Sequence, residues 1–157
     1  MAVKIRSVFY TVKPVWGTRK DDSHVLQRDF GLLATADYRG SLVEIIFSFK
    51  EGIHIDGLTV PWGLQWFLPR WDDKNQLYNA AGAAHDCLYA TGGYYGMFKR
   101  EECDDIFRGI MRESGIGRIK AGCADKAVEW FAGGKKHWNN DSYGVADKFK
   151  VTMRVIS

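Results

Sequence analysis

Adjacent His85 and Asp86 are the residues of this chain whose types best suit chemistry. They lie in segment 83–89 (AAHDCLY), which is rich in small residues and predicted to be helical. Successive residues diverge by about 100° round a helix, so the two side chains point to different places. His85 shares a face with Tyr89, and Asp86 shares one with Gly82, where the missing side chain lets another group approach closely.

The carboxylate expected to face His85 is Asp104. It lies at the edge of the apolar stripe of the next predicted helix, whereas Asp105 lies further round, toward solvent. Antiparallel packing would bring Asp104 against His85, fix the tautomer of the imidazole and raise the basicity of its other nitrogen. The pair would then be a general base, or a metal-binding histidine with its orienting partner. A buried His-Asp pair between two helices is also often only a polar staple, which explains the same residues.

The other histidines give weaker signals. Alternation places His54 and Asp56 on one face of a predicted strand, which a solvated strand face also explains. His24 and His137 lie in loop-like or helix-end contexts and are expected to be ordinary surface residues. The chain contains no phosphate-binding loop, GxSxG elbow, HExxH motif or GxGxxG motif.

The first elements that would position these residues are strands. Alternating apolar residues predict an N-terminal strand with Val3, Ile5 and Phe9 on its inner face. Two more strands, Phe30–Ala36 and Leu42–Phe49, are predicted to form a hairpin. The core-facing residues of the second are predicted to be Val43, Ile45, Phe47 and Phe49.

Three helices and a last strand follow. The helices are predicted at Asn75–Ala90, Lys99–Ser114 and Arg118–Ala132, each with glycines after it. The second has an apolar stripe of Cys103, Ile106, Phe107, Ile110 and Met111. The stripe of the third is Ile119, Cys123, Ala127, Trp130 and Phe131. Residues 149–155 alternate strictly and should return to the N-terminal sheet. The predicted fold class is α+β, an antiparallel sheet packed with a three-helix layer in a single domain, 1–157.

The composition excludes several classes of protein. The 157 residues carry a net charge of +3, which is too small to indicate nucleic-acid binding. No apolar run approaches the roughly 20 residues of a membrane helix, and the N-terminus lacks the apolar segment of a cleaved signal peptide. Cys87, Cys103 and Cys123 fit neither a disulfide framework nor a zinc site. They are expected to be small buried thiols in a protein made in a reducing cytoplasm.

Four aromatic residues cluster between the two candidate regions. They are Trp62, Trp66, Phe67 and Trp71. One prediction is that they roof the helical layer, because aromatic side chains dominate protein cores. If exposed, they would instead form an apolar rim beside the candidate site, suited to a lipid, a glycan or another protein.

Four segments, in this order, resemble a family of unknown function common in tailed phages and prophages. They are residues 55–61 (IDGLTVP), 83–89 (AAHDCLY) and 100–111 (REECDDIFRGIM), then 124–133 with Trp138 after it. The residues that match the motifs of this family are Asp56, His85, Asp86, Tyr89 and Asp104. Thr59 stands where serine is usual and keeps the hydroxyl, and Cys103 stands where alanine is usual.

The His-Asp helix is also similar to that of secretory phospholipases, including the compact viral ones. In those enzymes the histidine is the general base for water, the adjacent aspartate binds calcium, and a later aspartate orients the histidine. The similarity implies these roles for His85, Asp86 and Asp104, with Tyr89 as the hydrogen-bonding tyrosine. The glycine-rich calcium loop of those enzymes is missing, and residues 56–59 would replace it.

These resemblances lead to a first hypothesis, a phage- or prophage-encoded hydrolase that acts on the cell envelope. Its catalytic residues would be His85 and Asp104. Asp86 and Asp56 would bind a divalent cation, calcium or zinc, with Thr59 in support.

Two other hypotheses stay open. The second is a non-enzymatic virion or tail-assembly protein in which the His-Asp helix pair is a structural staple. The third is an interaction protein that blocks a host factor. Under each hypothesis we expect the protein to be made in the bacterial host cytoplasm. Its expected partners are virion proteins or the cell envelope, and it could be packaged in the virion.

Overall fold

The computed structural model describes residues 2–57, 64–131 and 137–157, without the side chains of 128–131. The strands are β1 (Val3–Val12), β2 (Trp16–Thr18), β3 (His24–Leu26), β4 (Phe30–Tyr38), β5 (Ser41–Phe49), β6 (His54–Ile55) and β7 (Phe149–Val155). The helices are α1 (Gln76–Ala90), α2 (Arg100–Met111) and α3 (Gly117–Phe131). Shorter turns are a left-handed one at Gly92–Gly96, a π-helical one at Arg112–Ile116 and a 3₁₀ turn at Ala146–Lys148.

The larger sheet has four antiparallel strands in the order β1-β4-β5-β7. β4 and β5 form the predicted hairpin, and β7 returns to the far edge of β5 as the alternation indicated. The predicted core-facing residues of β5 are all buried: Val43, Ile45, Phe47 and Phe49. The α+β prediction is confirmed, with the sheet, the returning C-terminal strand and three helices.

A bulge in β1 makes one prediction for this strand wrong. Val3 and Ile5 are buried, but Phe9 is 64% exposed. The pairing of β1 with β4 shifts register between Ile5 and Ser7. Because side chains alternate along a strand, one extra residue moves every later side chain to the opposite face. Phe9 therefore lies on the outer face of the sheet, opposite Leu33.

The smaller sheet, in the order β2-β3-β6, has three antiparallel strands. His24 lies in β3 and is buried, so the prediction of an ordinary surface histidine is wrong. Its ring stacks on Trp71, with centroids 3.6 Å apart, and burial lowers the pKa of His24. The short β3 gave no periodicity from which this burial could be inferred. His137 is exposed, as predicted.

The helical layer packs on the inner face of the larger sheet. Asn75 caps α1, since its side-chain oxygen accepts the backbone N–H of Tyr78 at 3.2 Å. The predicted stripe of α2 is buried throughout. Gly109 lets α2 approach β1 closely, because a Cβ at this position would lie 2.4 Å from a side-chain carbon of Ile5.

The buried face of α3 differs from the predicted stripe. Ile119 is 81% exposed and Cys123 is exposed, whereas Ala121 and Ala124 join Ala127 in the core. Small residues let α3 pack closely against the core. The face of α3 that is buried is therefore the one that carries the alanines, and not the one that carries the larger apolar side chains. Of the three thiols expected to be buried, Cys87 in α1 and Cys103 in α2 are buried, whereas Cys123 in α3 is not. The predicted core positions 130 and 131 lie outside the described side chains.

Asp105 is buried, and the prediction that it faces solvent is wrong. Its Oδ2 accepts the backbone N–H groups of Ala2 at 2.8 Å and Val3 at 3.1 Å. The carboxylate thus satisfies donors at the start of β1, which explains why a charge is tolerated there. A helical wheel of α2 alone does not include the strand that supplies these donors.

The described part of the chain has no helix of the length and hydropathy that crossing a membrane requires.

Candidate functional site

His85 and Asp104 meet across the α1–α2 interface, as antiparallel packing predicted. His85 Nε2 lies 3.0 Å from Asp104 Oδ1, and the hydroxyl of Tyr89 donates to the same oxygen at 2.7 Å. A carboxylate only accepts, so Nε2 carries a proton, and in the neutral imidazole the lone pair lies on Nδ1. Within the described ranges, no residue hydrogen-bonds Nδ1. The geometry is that of an imidazole prepared to take a proton at Nδ1.

Aromatic rings fix the orientation of this imidazole. The His85 ring centroid is 4.2 Å from that of Tyr89 and 4.9 Å from that of Phe107. Trp138 packs edge-on against Tyr89 with centroids 5.2 Å apart. His85 is only 5% exposed, while the side chain of Asp104 keeps 22% of its surface. The dyad is thus rigidly held, with Asp104 at its more open end.

An ion pair between half-buried Arg108 on α2 and buried Asp125 on α3 lies beside the dyad. The guanidinium of Arg108 donates to Asp125. Burial raises the pKa of Asp125, against the opposing effect of Arg108, and the negative charge of Asp104 adds to the rise. Sequence reasoning missed both residues, because neither lies in a recognisable motif. Both are electrostatically coupled to Asp104, the carboxylate that holds His85.

Asp86 points away from the dyad and is electrostatically coupled to Asp56. Its side chain reaches solvent, which would ordinarily leave a carboxyl well hydrated. Desolvation by the surrounding protein nevertheless raises the pKa of Asp86 to about 8, and the negative charge of Asp56 contributes. The Asp86 side chain is therefore open to water and within the electrostatic reach of the Asp56 carboxylate.

The raised pKa of Asp86 predicts a specific pH dependence of stability. Between its usual value of 3.8 and about 8, the folded state holds a proton that the unfolded chain releases. Without divalent cations, the free energy of unfolding should therefore fall as the pH rises through this window. Asp86→Asn should flatten the profile, as measured by urea unfolding at several pH values. The exposed carboxylate variant Asp147→Asn is the control, and an Asp86→Asn profile parallel to the parent would contradict the prediction.

Tyr143 completes the surroundings of Asp56. Its hydroxyl donates to Asp56 Oδ2 at 3.3 Å, and the charge of Asp56 raises the pKa of this phenol. Arg70 donates to the backbone carbonyl of Asp56 at 2.8 Å. Tyr143 lies 87 residues along the chain from its partner. No local spacing links the two residues, so sequence reasoning missed this contact.

A hydrogen-bonded chain supports Tyr143 from the smaller sheet. The His54 ring contacts Tyr143 with centroids 5.0 Å apart, and His54 Nε2 lies 2.6 Å from the hydroxyl oxygen of Ser23. That hydroxyl donates to Asp21. The proton of Ser23 is thus committed to a carboxylate, so the Ser-His contact is not a nucleophile with its base. His54 supports the Asp56 side of the site.

The predicted aromatic cluster divides in the structure. Trp66 is exposed, whereas Phe67 and Trp71 are half-buried against the core. Trp71 contacts Trp16 edge-on in addition to stacking on His24. Two residues named from the sequence, Thr59 and Trp62, lie outside the described residues.

The predicted site residues therefore form two groups on different faces of α1. His85, Tyr89 and Asp104 form one, and Asp86 with Asp56 forms the other. Adjacent helix positions diverge by about 100°, which accounts for the separation. The second group rests on the electrostatic coupling of two carboxylates, and the described ranges bring no three His, Cys, Asp or Glu side chains together as a metal-binding set.

Comparison with known proteins gives one match. A family model described as "Protein of unknown function (DUF1353)" matches residues 30–128. No curated protein and no solved structure matches the chain. The matched span includes Asp56, His85 and Asp104, but not Trp138 or Tyr143.

Proposed function

Since the chain belongs to the DUF1353 family, which is described only as proteins of unknown function, we propose from the site itself that it is a hydrolase with His85 as general base. The observation that supports this most is the dyad. Asp104, which also accepts from Tyr89, holds Nε2 and leaves Nδ1 without a partner in the described part of the chain. This arrangement is the one expected for an imidazole that accepts a proton from water. Its likeness to the helix of secretory phospholipases favours an ester of the cell envelope as substrate, in a phage- or prophage-encoded protein.

The proposed reaction uses Nδ1 of His85 to accept a proton from water. The water oxygen then bonds to the carbonyl carbon of the ester, and the departing alcohol oxygen receives the proton from the imidazolium. Asp104 keeps its negative charge and stabilises the imidazolium through Nε2. Tyr89 donates to the same carboxylate and so limits its rotation.

Asp86 and Asp56 fit a divalent cation in charge and in donor type. Two carboxylates are hard oxygen donors, which favours calcium over zinc in this site. Backbone carbonyls and water would have to supply the other ligands. A bound calcium ion would supply a positive charge that offsets the negative charge developing on the carbonyl oxygen. Tyr143 would orient Asp56 through its hydrogen bond.

The calcium part of the proposal is tested by hydrolysis of short-chain phospholipid esters with added calcium and with chelator. We expect the parent to need calcium and Asp86→Asn to lose the stimulation. Tyr143→Phe should weaken calcium affinity by about 10-fold, as loss of an outer-shell partner does. Phe9→Ser, on the outer face of the sheet, is the control. If the parent hydrolyses neither these esters nor peptidoglycan fragments with any divalent cation, the enzyme proposal is wrong.

The alternative is a non-enzymatic virion or tail-assembly protein, or one that blocks a host factor. The near-complete burial of His85 favours it, because a polar staple would have the same contacts with Asp104 and Tyr89. Under this alternative, variants of the dyad would change stability and nothing else.

A further inference from the structure

The turn at residues 64–68 presents apolar side chains to solvent. Trp66 is 83% exposed and Leu64 is 43% exposed. Phe67 lies beneath them, packed against the core, with its ring centroid 5.7 Å from that of Trp66. A tryptophan left this open forgoes the burial that normally stabilises an aromatic side chain. Its position is therefore better explained by a partner than by the fold.

The first turn of α3 reaches the same place. The ammonium of Lys120 lies 4.9 Å from the centre of the Phe67 ring, so α3 and the 64–68 turn meet at this ring. Arg118 and Ile119 precede Lys120, and both are exposed. Cations at a helix N-terminus oppose the helix dipole, and the first turn of α3 has no acidic residue to offset them. These basic residues do not serve helix stability.

The exposed turn is tied to the candidate site. Arg70 follows Trp66 by four residues and donates to the backbone carbonyl of Asp56 at 2.8 Å. The carbonyl of Pro69 accepts the hydroxyl of Tyr78, on α1. Four residues span at most about 14 Å, so Trp66 lies within that reach of a residue bound to Asp56.

We propose that Leu64 and Trp66 of the 64–68 turn, with Arg118, Ile119 and Lys120 of the first turn of α3, together termed the docking rim, bind the surface of an anionic phospholipid bilayer. The inference rests on the proposed function in one respect, since lipid would then be the substrate class. Tryptophan favours the interfacial region of a bilayer, and basic side chains beside it complement anionic headgroups. Three exposed apolar side chains fall far short of the ~800 Å² per partner of a stable protein interface. A lipid surface needs no such area, because shallow insertion of a few side chains suffices.

The test is co-sedimentation of the full chain with vesicles of phosphatidylcholine alone and of phosphatidylcholine mixed with phosphatidylglycerol. The parent should prefer the mixed vesicles. Trp66→Ala should weaken binding about tenfold or more, through loss of one buried aromatic side chain. The double variant Arg118→Gln and Lys120→Gln should lose the preference for phosphatidylglycerol. Phe9→Ser removes another exposed aromatic residue, from the outer face of the sheet, and should bind as the parent does.

Two results would overturn the docking proposal. One is absence of parent binding to either vesicle, or binding that Trp66→Ala leaves unchanged. The other is a parent dimer that Trp66→Ala dissociates, as measured by light scattering, which would make a second copy the occupant of the rim. Vesicle binding with hydrolysis of neither phospholipid esters nor peptidoglycan fragments leaves the rim in place and removes the proposed function. Hydrolysis of a dissolved short-chain ester without vesicle binding supports the proposed function and removes the docking rim.

Discussion

Replacing His85 by glutamine is expected to lower ester hydrolysis by about two to four orders of magnitude, the usual contribution of a general base. Glutamine can still donate to Asp104, so the α1–α2 contact persists and the free energy of unfolding should change by no more than about 1 kcal/mol. Initial rates on a short-chain phospholipid ester and urea unfolding of the same preparations measure both quantities. The expected result is loss of activity in a protein that remains folded.

A matched control exists for the burial of this histidine. His24 is also buried and packed against an aromatic ring, but it lies in the smaller sheet, away from Asp104. His24→Gln should therefore leave the rate per folded molecule unchanged. Equal activity in His85→Gln and His24→Gln would remove His85 from the mechanism and favour the polar staple.

Asp104→Asn gives a second view of the same dyad. The amide removes the negative charge that stabilises the imidazolium and can present its NH₂ group to Nε2, which favours the wrong tautomer. Activity should fall although the shape of the side chain is kept. A variant with parent activity would show that the 3.0 Å contact with His85 has no part in the chemistry.

The helical part of the site could be predicted because its signals are local. The apolar stripe of α2 placed Asp104 at its edge, and segment 83–89 placed His85 and Tyr89 on one face of α1. Antiparallel packing of neighbouring helices then suffices to bring them together, and the 3.0 Å and 2.7 Å contacts follow. The same periodicity predicted that Asp86 points elsewhere.

The remaining residues depend on packing that no single element encodes. Phe9 lies on the outer face of the sheet because the pairing of β1 with β4 contains a bulge between Ile5 and Ser7. Asp105 is buried because the start of β1 brings two backbone donors to it. Tyr143 reaches Asp56 from a distant part of the chain, and Arg108 pairs with Asp125 across two helices. Each is a long-range contact between residues that are unremarkable in sequence.

The turn at Gly92–Gly96 is the second place where a single substitution should have a large effect. All five residues have positive φ, a conformation that costs an L-residue about 1–2 kcal/mol. At Gly93, with φ of 73°, a Cβ would also lie 1.9 Å from the carbonyl oxygen of Phe98. Gly96, with φ of 85°, has no atom within 4 Å of that position. The two glycines therefore share the backbone cost and differ in the clash.

Gly93→Ala should destabilise the protein by about 3 kcal/mol or more, and Gly96→Ala by about 1–2 kcal/mol. The added methyl group at Gly93 must displace the backbone at Phe98, whose N–H donates to the Gly93 carbonyl at 2.9 Å. Urea unfolding measures both variants. Equal losses of unfolding free energy in the two variants would contradict this prediction. They would show that the backbone at Phe98 moves without cost and that only the left-handed conformation is unfavourable.

Gly93→Ala should also disturb the contact between Asp104 and His85, because the same Cβ would lie 3.0 Å from the Trp138 ring. Trp138 packs against Tyr89, whose hydroxyl holds Asp104. Movement of this indole would free the tyrosine, and with it the carboxylate that fixes the His85 tautomer. Under conditions where both variants are folded, Gly93→Ala should therefore lose hydrolysis and Gly96→Ala should keep it. Equal rates per folded molecule would mean that the position of Tyr89 does not depend on Trp138.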